Sequence, residues 1–99
     1  MKYKVMLSAR VNPDFGRGGI NNYWNRNIKP RPCPAKSLRD ASECCRLFIQ
    51  MNELGGGNWT GGDVFDESGA KVAIISYNGR VWTPDPNWKD RKEITNLDQ

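Results

Sequence analysis

Lys71-Val72-Ala73-Ile74-Ile75-Ser76-Tyr77-Asn78-Gly79-Arg80-Val81-Trp82-Thr83 is the stretch on which the fold class turns. Its first seven residues are the most apolar run in the chain and are bounded by turn residues, the pattern of a central strand. Asn78-Gly79 then separates that run from a second short one. The two positive φ angles of a type I′ hairpin suit Asn and Gly, so the spacing predicts a tight two-residue turn with Arg80-Val81-Trp82-Thr83 pairing back. Pro84 and Pro86 end the second strand, since neither can donate to a ladder. Upstream, Val64-Phe65-Asp66 reads as another short strand, joined to the central one by the turn Glu67-Ser68-Gly69-Ala70. The result is a three-stranded meander.

Working outward toward the N-terminus, the Gly-rich segment Gly55 to Gly62 reads as a flexible connection, and before it comes a helix. Ser37-Leu38-Arg39-Asp40 is a variant of the capping box: the Ser hydroxyl accepts from a free amide while a carboxylate three residues on reaches back. Leu38, Ala41, Cys44, Cys45, Phe48 and Met51 recur at three- and four-residue spacing and make one apolar stripe. Gly55 can take the left-handed conformation that closes a helix, so the helix is expected from about Leu38 to Leu54.

Residues 2 to 11 alternate, with Tyr3, Val5, Leu7, Ala9 and Val11 on one face and Lys2, Lys4, Met6, Ser8 and Arg10 on the other. That is a half-buried strand with a basic outer face. Residues 12 to 36 carry Pro13, Gly16, Gly18, Gly19, Pro30, Pro32 and Pro34, which disfavour both helix and long strand, so they are expected to form an arm or insertion. The fold class expected is α+β in the order β-α-β-β-β: one four-stranded antiparallel sheet packed on one helix, in a single domain spanning 1–99. Ala41, Cys45, Phe48, Val5, Leu7, Ile74 and Val81 are the expected core. Residues 85 to 99 are expected as a short helix or loose tail.

Ninety-nine residues hold one ordinary domain, and at 37% hydrophobic residues with a mean hydropathy of -0.74 its core must be thin. The opening Met1-Lys2-Tyr3-Lys4-Val5 is charged and alternating, and no apolar run approaches the length of a signal core or membrane span, so a cytoplasmic site is expected. Three cysteines, two of them adjacent, suit neither a disulfide framework nor zinc spacing, and Cys33, Cys44 and Cys45 read as free thiols. No metal or other cofactor is expected.

The chain contains no His, which removes the commonest general acid-base group and the commonest metal ligand. The segment 55 to 62 lacks the Gly-Lys-Ser/Thr ending of a phosphate loop and does not lead from a strand into a helix. Asp63, Asp66 and Glu67 read as turn residues rather than as a catalytic pair. Asn58-Trp59-Thr60 matches a glycosylation sequon, which has no meaning in a cytoplasmic protein. The protein is therefore expected not to be an enzyme.

Charge gives the positive indication. Residues 1 to 39 hold nine Lys or Arg against Asp14 alone, a net of +8, whereas residues 40 to 99 hold six basic and ten acidic residues, a net of −4. Such polarity implies a basic surface for a polyanion or an acidic protein face. In the arm, Arg17, Arg26, Lys29, Arg31 and Lys36 are interleaved with Tyr23 and Trp24, a composition that neutralises phosphates and stacks on bases, or anchors a protein interface. With Arg10 from the strand's basic face, these are the expected partner-binding residues. The alternative is that Tyr23 and Trp24 fold back over the sheet and the cations only solubilise a loop.

Ser37-Leu38 with Ala41 opening the helix, and Val72-Ala73-Ile74 leading through Tyr77, Gly79 and Arg80 to Trp82, resemble the helix and terminal hairpin of small phage-encoded anti-CRISPR proteins. The members meant are those of β-α-β-β-β fold that inhibit type I surveillance complexes. The resemblance covers the first strand and about residues 35 to 83, and leaves out residues 12 to 34 and those after Pro84. It implies a non-catalytic inhibitor, from a phage or mobile element, that binds a bacterial CRISPR-Cas effector complex in the host cytoplasm. Docking on the guide-RNA-bearing protein backbone would hinder pairing with target DNA. Arg80, beside the hairpin, is the one further residue it adds to the site. Two other classes stay open: a direct nucleic-acid-binding accessory protein, favoured by the charge asymmetry, and a small nucleotide-signal binding module, favoured by the Gly-rich loop with Trp59 and Trp82.

Overall fold

Ser37 starts the helix as its sequence signature requires. In the computed structural model, which describes residues 2–10, 28–55 and 58–97, Ser37 is extended and its Oγ accepts the Asp40 amide at 3.1 Å. The Asp40 carboxylate reaches back one residue further than a standard capping box, accepting the Lys36 amide at 3.0 Å. Helix α1 (Leu38–Met51) follows, burying Leu38, Ala41, Cys45, Phe48 and Ile49. Met51, expected on that stripe, is 77% exposed because the helix stops there and Ile49 fills the last core position.

The helix ends earlier than Gly55. The Leu54 amide bonds the Ile49 carbonyl at 3.0 Å and the Glu53 amide bonds that of Gln50 at 3.2 Å, the paired contacts of a Schellman motif. The left-handed residue is therefore Glu53, at φ 53°, rather than a glycine. Buried Leu54 supplies the apolar contact that usually accompanies the motif, and this contact sets the position of the stop.

Five strands, one more than expected, form the sheet: β1 (Tyr3–Ala9), β2 (Ile28–Ala35), β3 (Asp63–Asp66), β4 (Lys71–Ile75) and β5 (Val81–Trp82), in the order β2-β1-β3-β4-β5. Every pairing between them is antiparallel. The extra strand is β2, cut from the end of the region expected to be an arm; residues 12 to 27 of that region lie outside the described residues. Its prolines are compatible with a strand because β2 is at the sheet edge. Pro30, Pro32 and Pro34 occupy alternate positions, so the residues between them turn their amides toward β1, and the outer row is left without donors at the prolines.

Val5, Val64 and Ala73 are cross-strand partners and all fully buried, which places the core between this face of the sheet and α1. Ile75 pairs with Val81 in the same layer. Ile74, expected in the core, instead points to the opposite face, because side chains alternate along β4 and Ala73 and Ile75 already face the helix.

The hairpin turn also differs from expectation. The Ser76 amide bonds the Arg80 carbonyl and the Gly79 amide bonds that of Ser76, both at 2.9 Å, enclosing Tyr77, Asn78 and Gly79 in a three-residue loop. Only Gly79 has positive φ, at 87°, so the turn is not type I′ but a three-residue loop closed by a left-handed glycine. Asp66 to Ala70 repeats the arrangement around Gly69.

The second half of the Gly-rich segment is built into the sheet rather than forming a free connection. Gly62 donates to Met6 and accepts from Ile75, each at 2.8 Å, and Ala9 bridges Trp59. A Cβ on Gly62 would lie 2.1 Å from the Ile75 carbonyl oxygen, so only glycine fits there. The tail is likewise held: a 3-10 turn at Trp88–Asp90 leads to a bridge between Glu93 and Trp82, and Ile94 and Leu97 pack against the core.

Candidate functional site

The uneven charge along the chain becomes a spatial asymmetry because β1 and β2 are neighbours at one side of the sheet. Between them, residues 2–10 and 28–37 carry Lys2, Lys4, Arg10, Lys29, Arg31 and Lys36 and no acidic residue. All six are exposed. The Ala9–Ile28 pairing brings Arg10 and Lys29 to one end of this edge, and the Tyr3–Ala35 pairing brings Lys2 and Lys36 to the other. Arg31 shares the helix side, its guanidinium 5.6 Å from the centre of the Phe48 ring.

Of the residues expected to bind a partner, Arg10, Lys29, Arg31 and Lys36 are thus brought to one edge. Arg80 lies at the other side of the sheet, beside β5, with its amide 3.3 Å from the Asn78 carboxamide oxygen. Arg17, Tyr23, Trp24 and Arg26 lie outside the described residues.

The second feature is the face of the sheet turned away from α1. Cross-strand partners share a face, so Lys4 with Phe65, and Asp63 with Ile74 and Trp82, all stand opposite the buried layer. Met6, Phe65, Ile74 and Trp82 are half-buried there. Asp63 and Lys71 form an ion pair at 3.2 Å on the same surface, and the Trp82 indole donates to Ser76 Oγ at 3.2 Å. Sequence reading missed these outward-facing apolar residues because it expects Ile74 in the core and does not specify that the Phe65 strand also pairs with β1. The alternation of Lys2, Lys4, Met6, Ser8 and Arg10 was the signal for their basic flank.

The pieces of a nucleotide-signal pocket do not converge. Trp59 shares the buried face with Ala9, donates to the Ile75 carbonyl at 3.2 Å and packs on Phe48 with ring centres 5.9 Å apart. Trp82 is on the other face. An open cleft of about 640 Å³ runs between Lys2, Tyr3, Leu38, Val72, Ile94 and the Asp66 turn. Its carboxylate at Asp66 is already occupied by the Ser68 amide and hydroxyl and the Ala70 amide, contacts that hold its pKa below the ordinary value, the Ser68 hydroxyl being the largest influence.

Among the described residues no group of three or more His, Cys, Asp or Glu could hold a metal ion, and no helix is long and apolar enough to cross a membrane. Asn58 is buried, its carboxamide tied to the Gly55 amide and the Arg10 carbonyl, and so fastens the loop to β1.

Among the described residues, these features define a small α+β protein with one helix on a five-stranded antiparallel sheet, a mixed-charge sheet face turned away from that helix and a basic edge. No family model, curated protein or solved structure matches the chain.

Proposed function

We propose that the protein is a non-catalytic inhibitor that docks, through the sheet face turned away from α1 and the basic β1–β2 edge, on an acidic protein surface of a bacterial CRISPR-Cas effector complex. What carries the docking mode is the composition of the open face. Phe65, Ile74 and Trp82 are half-buried apolar side chains of that face, and Lys4 and the Asp63–Lys71 ion pair, charges of both signs, stand among them. A surface meant for phosphates would exclude carboxylates, whereas large apolar side chains mixed with charges of both signs suit a protein interface. The neighbouring cations then select an acidic partner and hasten encounter. The resemblance of the helix and hairpin to anti-CRISPR proteins is what supports this partner, and with it the proposed host-cytoplasmic location.

The test is inhibition of target-DNA binding by a guide-loaded type I surveillance complex, read by gel shift. The parent protein is expected to block the shift. Lys4→Glu combined with Lys29→Glu is expected to abolish the block while leaving the melting temperature nearly unchanged, since exposed charges contribute little to folding. A second reading, direct nucleic-acid binding, is favoured by the six cations of the β1–β2 edge. It predicts a salt-dependent shift of naked single-stranded DNA by the protein alone. An absence of both effects would overturn the two readings together.

A further inference from the structure

Cys33 of β2 and Cys44 of α1, eleven positions apart in the chain, stand with their sulfurs 3.3 Å from one another. Both are free thiols and both are half-buried, so a small oxidant can reach them. The contact is held by rigid backbone on each side. Cys33 is enclosed by Pro32 and Pro34, whose rings lock φ, and is paired with Val5 across the sheet, while Cys44 lies in mid-helix. We infer that Cys33 and Cys44 form a reversible disulfide that ties the edge strand β2 to helix α1, made by thiol–disulfide exchange with a low-molecular-weight disulfide of the glutathione class. This inference is independent of the docking function proposed above.

Bond formation requires the sulfurs to approach by only about 1.3 Å, within reach of small side-chain rotations. Cys45 is not a competing partner, because it is fully buried in the core and adjacent helical residues point about 100° apart. The order of events follows from the surroundings. Burial, the contact with Cys33, and the nearby Asp40 and Glu43 push the Cys44 thiol up to about 12, so Cys44 stays protonated and the first attack falls to Cys33. Cys33 gives its proton to solvent base and its sulfur attacks one sulfur of the oxidant, breaking that S–S bond and releasing one glutathione thiolate, which leaves a mixed disulfide on Cys33. Cys44 then gives its proton to solvent base and attacks Cys33 Sγ, expelling the second glutathione. Two thiols and one disulfide become one protein disulfide and two glutathione thiols, with two electrons passed to the oxidant.

The experiment is equilibration of the full chain with oxidised glutathione, followed by acid quench, denaturation and thiol counting by alkylation and mass spectrometry. The expected product is a monomer with one alkylatable thiol, at Cys45, and a peptide cross-link joining Cys33 to Cys44. The melting temperature should rise by roughly 10 °C or more and return on adding dithiothreitol, as expected for cross-linking a loop of this length. Cys44→Ser should stop at the mixed disulfide on Cys33, and Cys45→Ala should still form the cross-link. Three alkylatable thiols after oxidation would overturn the inference. So would a stable mixed disulfide on the parent, a cross-link involving Cys45, or a disulfide between two chains.

Discussion

At the scale of single residues, two adjacent turn positions behave differently because only one of them has a left-handed backbone. Gly79 is at φ 87°, and a Cβ there would lie 3.2 Å from the Arg46 side chain and Ser42 Oγ. Gly79→Ala is therefore expected to cost about 1–2 kcal/mol, the penalty of a left-handed non-glycine residue. Asn78 has no positive φ to maintain and contributes through its carboxamide, which meets Ser76 Oγ at 2.6 Å and the Arg80 amide at 3.3 Å. Asn78→Ala should cost less than about 1 kcal/mol. Equal losses in urea unfolding would restore the type I′ turn. Cys45 gives a second prediction: burial, then the neighbouring Cys44 and Cys33, push its thiol from 9.0 to about 12. The unfolded chain ionises first, so the stability held by the neutral thiol is complete below pH 9 and is lost as pH rises toward 12. The urea midpoint of the parent should fall over that window, and Cys45→Ala should make the fall shallower, leaving the share that the similarly raised Cys44 contributes. A parallel decline in both proteins would assign the effect to other groups.

At the scale of elements, the two ends of α1 differ in quality. The Ser37 cap is well matched to its role, whereas the C-terminal motif places Glu53 in a conformation that glycine adopts without strain. Glu53→Gly is expected to stabilise the protein by about 0.5–1 kcal/mol, the relief of left-handed strain less the added freedom of the unfolded chain. A destabilised variant, measured by thermal unfolding, would count against the Schellman assignment. Edge strand β2 carries the opposite kind of adaptation. Its alternate prolines withhold the amides that an incoming strand would bond, the standard defence against edge-to-edge association. Replacing Pro32 and Pro34 together by Thr restores two outward donors. The variant should self-associate with increasing concentration in sedimentation velocity, while the parent does not change in the same range. A monomeric variant would mean that the cations of the edge suffice.

For the molecule as a whole, the docking proposed above gives different roles to the basic edge and to the apolar side chains of the sheet face, the edge setting the rate of encounter and the face the persistence of contact. Long-range attraction acts before contact, so Lys4→Glu with Lys29→Glu should slow association with the effector complex, and added salt should slow the parent in the same way. Trp82 acts only after contact. Trp82→Ala should chiefly raise the dissociation rate, with a loss of about 2 kcal/mol or more if it is an interface anchor. Surface-based kinetics with both variants, alongside their melting temperatures, check the division. A charge reversal that changes only dissociation would place the cations inside the contact, and a Trp82→Ala change confined to the melting temperature would remove that ring from the interface.

Much of this fold is written in local chemistry. A hydroxyl three residues before a free amide starts a helix wherever the chain lies, and a glycine between two apolar runs turns the chain back. Ser37, the stripe through Phe48, a strand beginning at Lys71 and the reversal at Gly79 were therefore determined by the sequence by itself, as was the α+β class, whereas the end of that strand at Ile75, and not at Tyr77, came from the three-residue loop. The features decided only by tertiary structure are those that depend on what lies alongside. Pro30, Pro32 and Pro34 exclude a central strand but fit an edge, and nothing within residues 28 to 35 states which of the two applies. Ile74 and Ile75 are equally apolar, and only pairing with Val81 and Trp82 in the adjacent strand assigns one to the core and the other to the open face. Glu53 takes a strained conformation because burying Leu54 stabilises the motif by more than the strain costs. The basic edge, likewise, exists because β2 pairs with β1: cations distant in sequence become one surface when backbone hydrogen bonds join their strands.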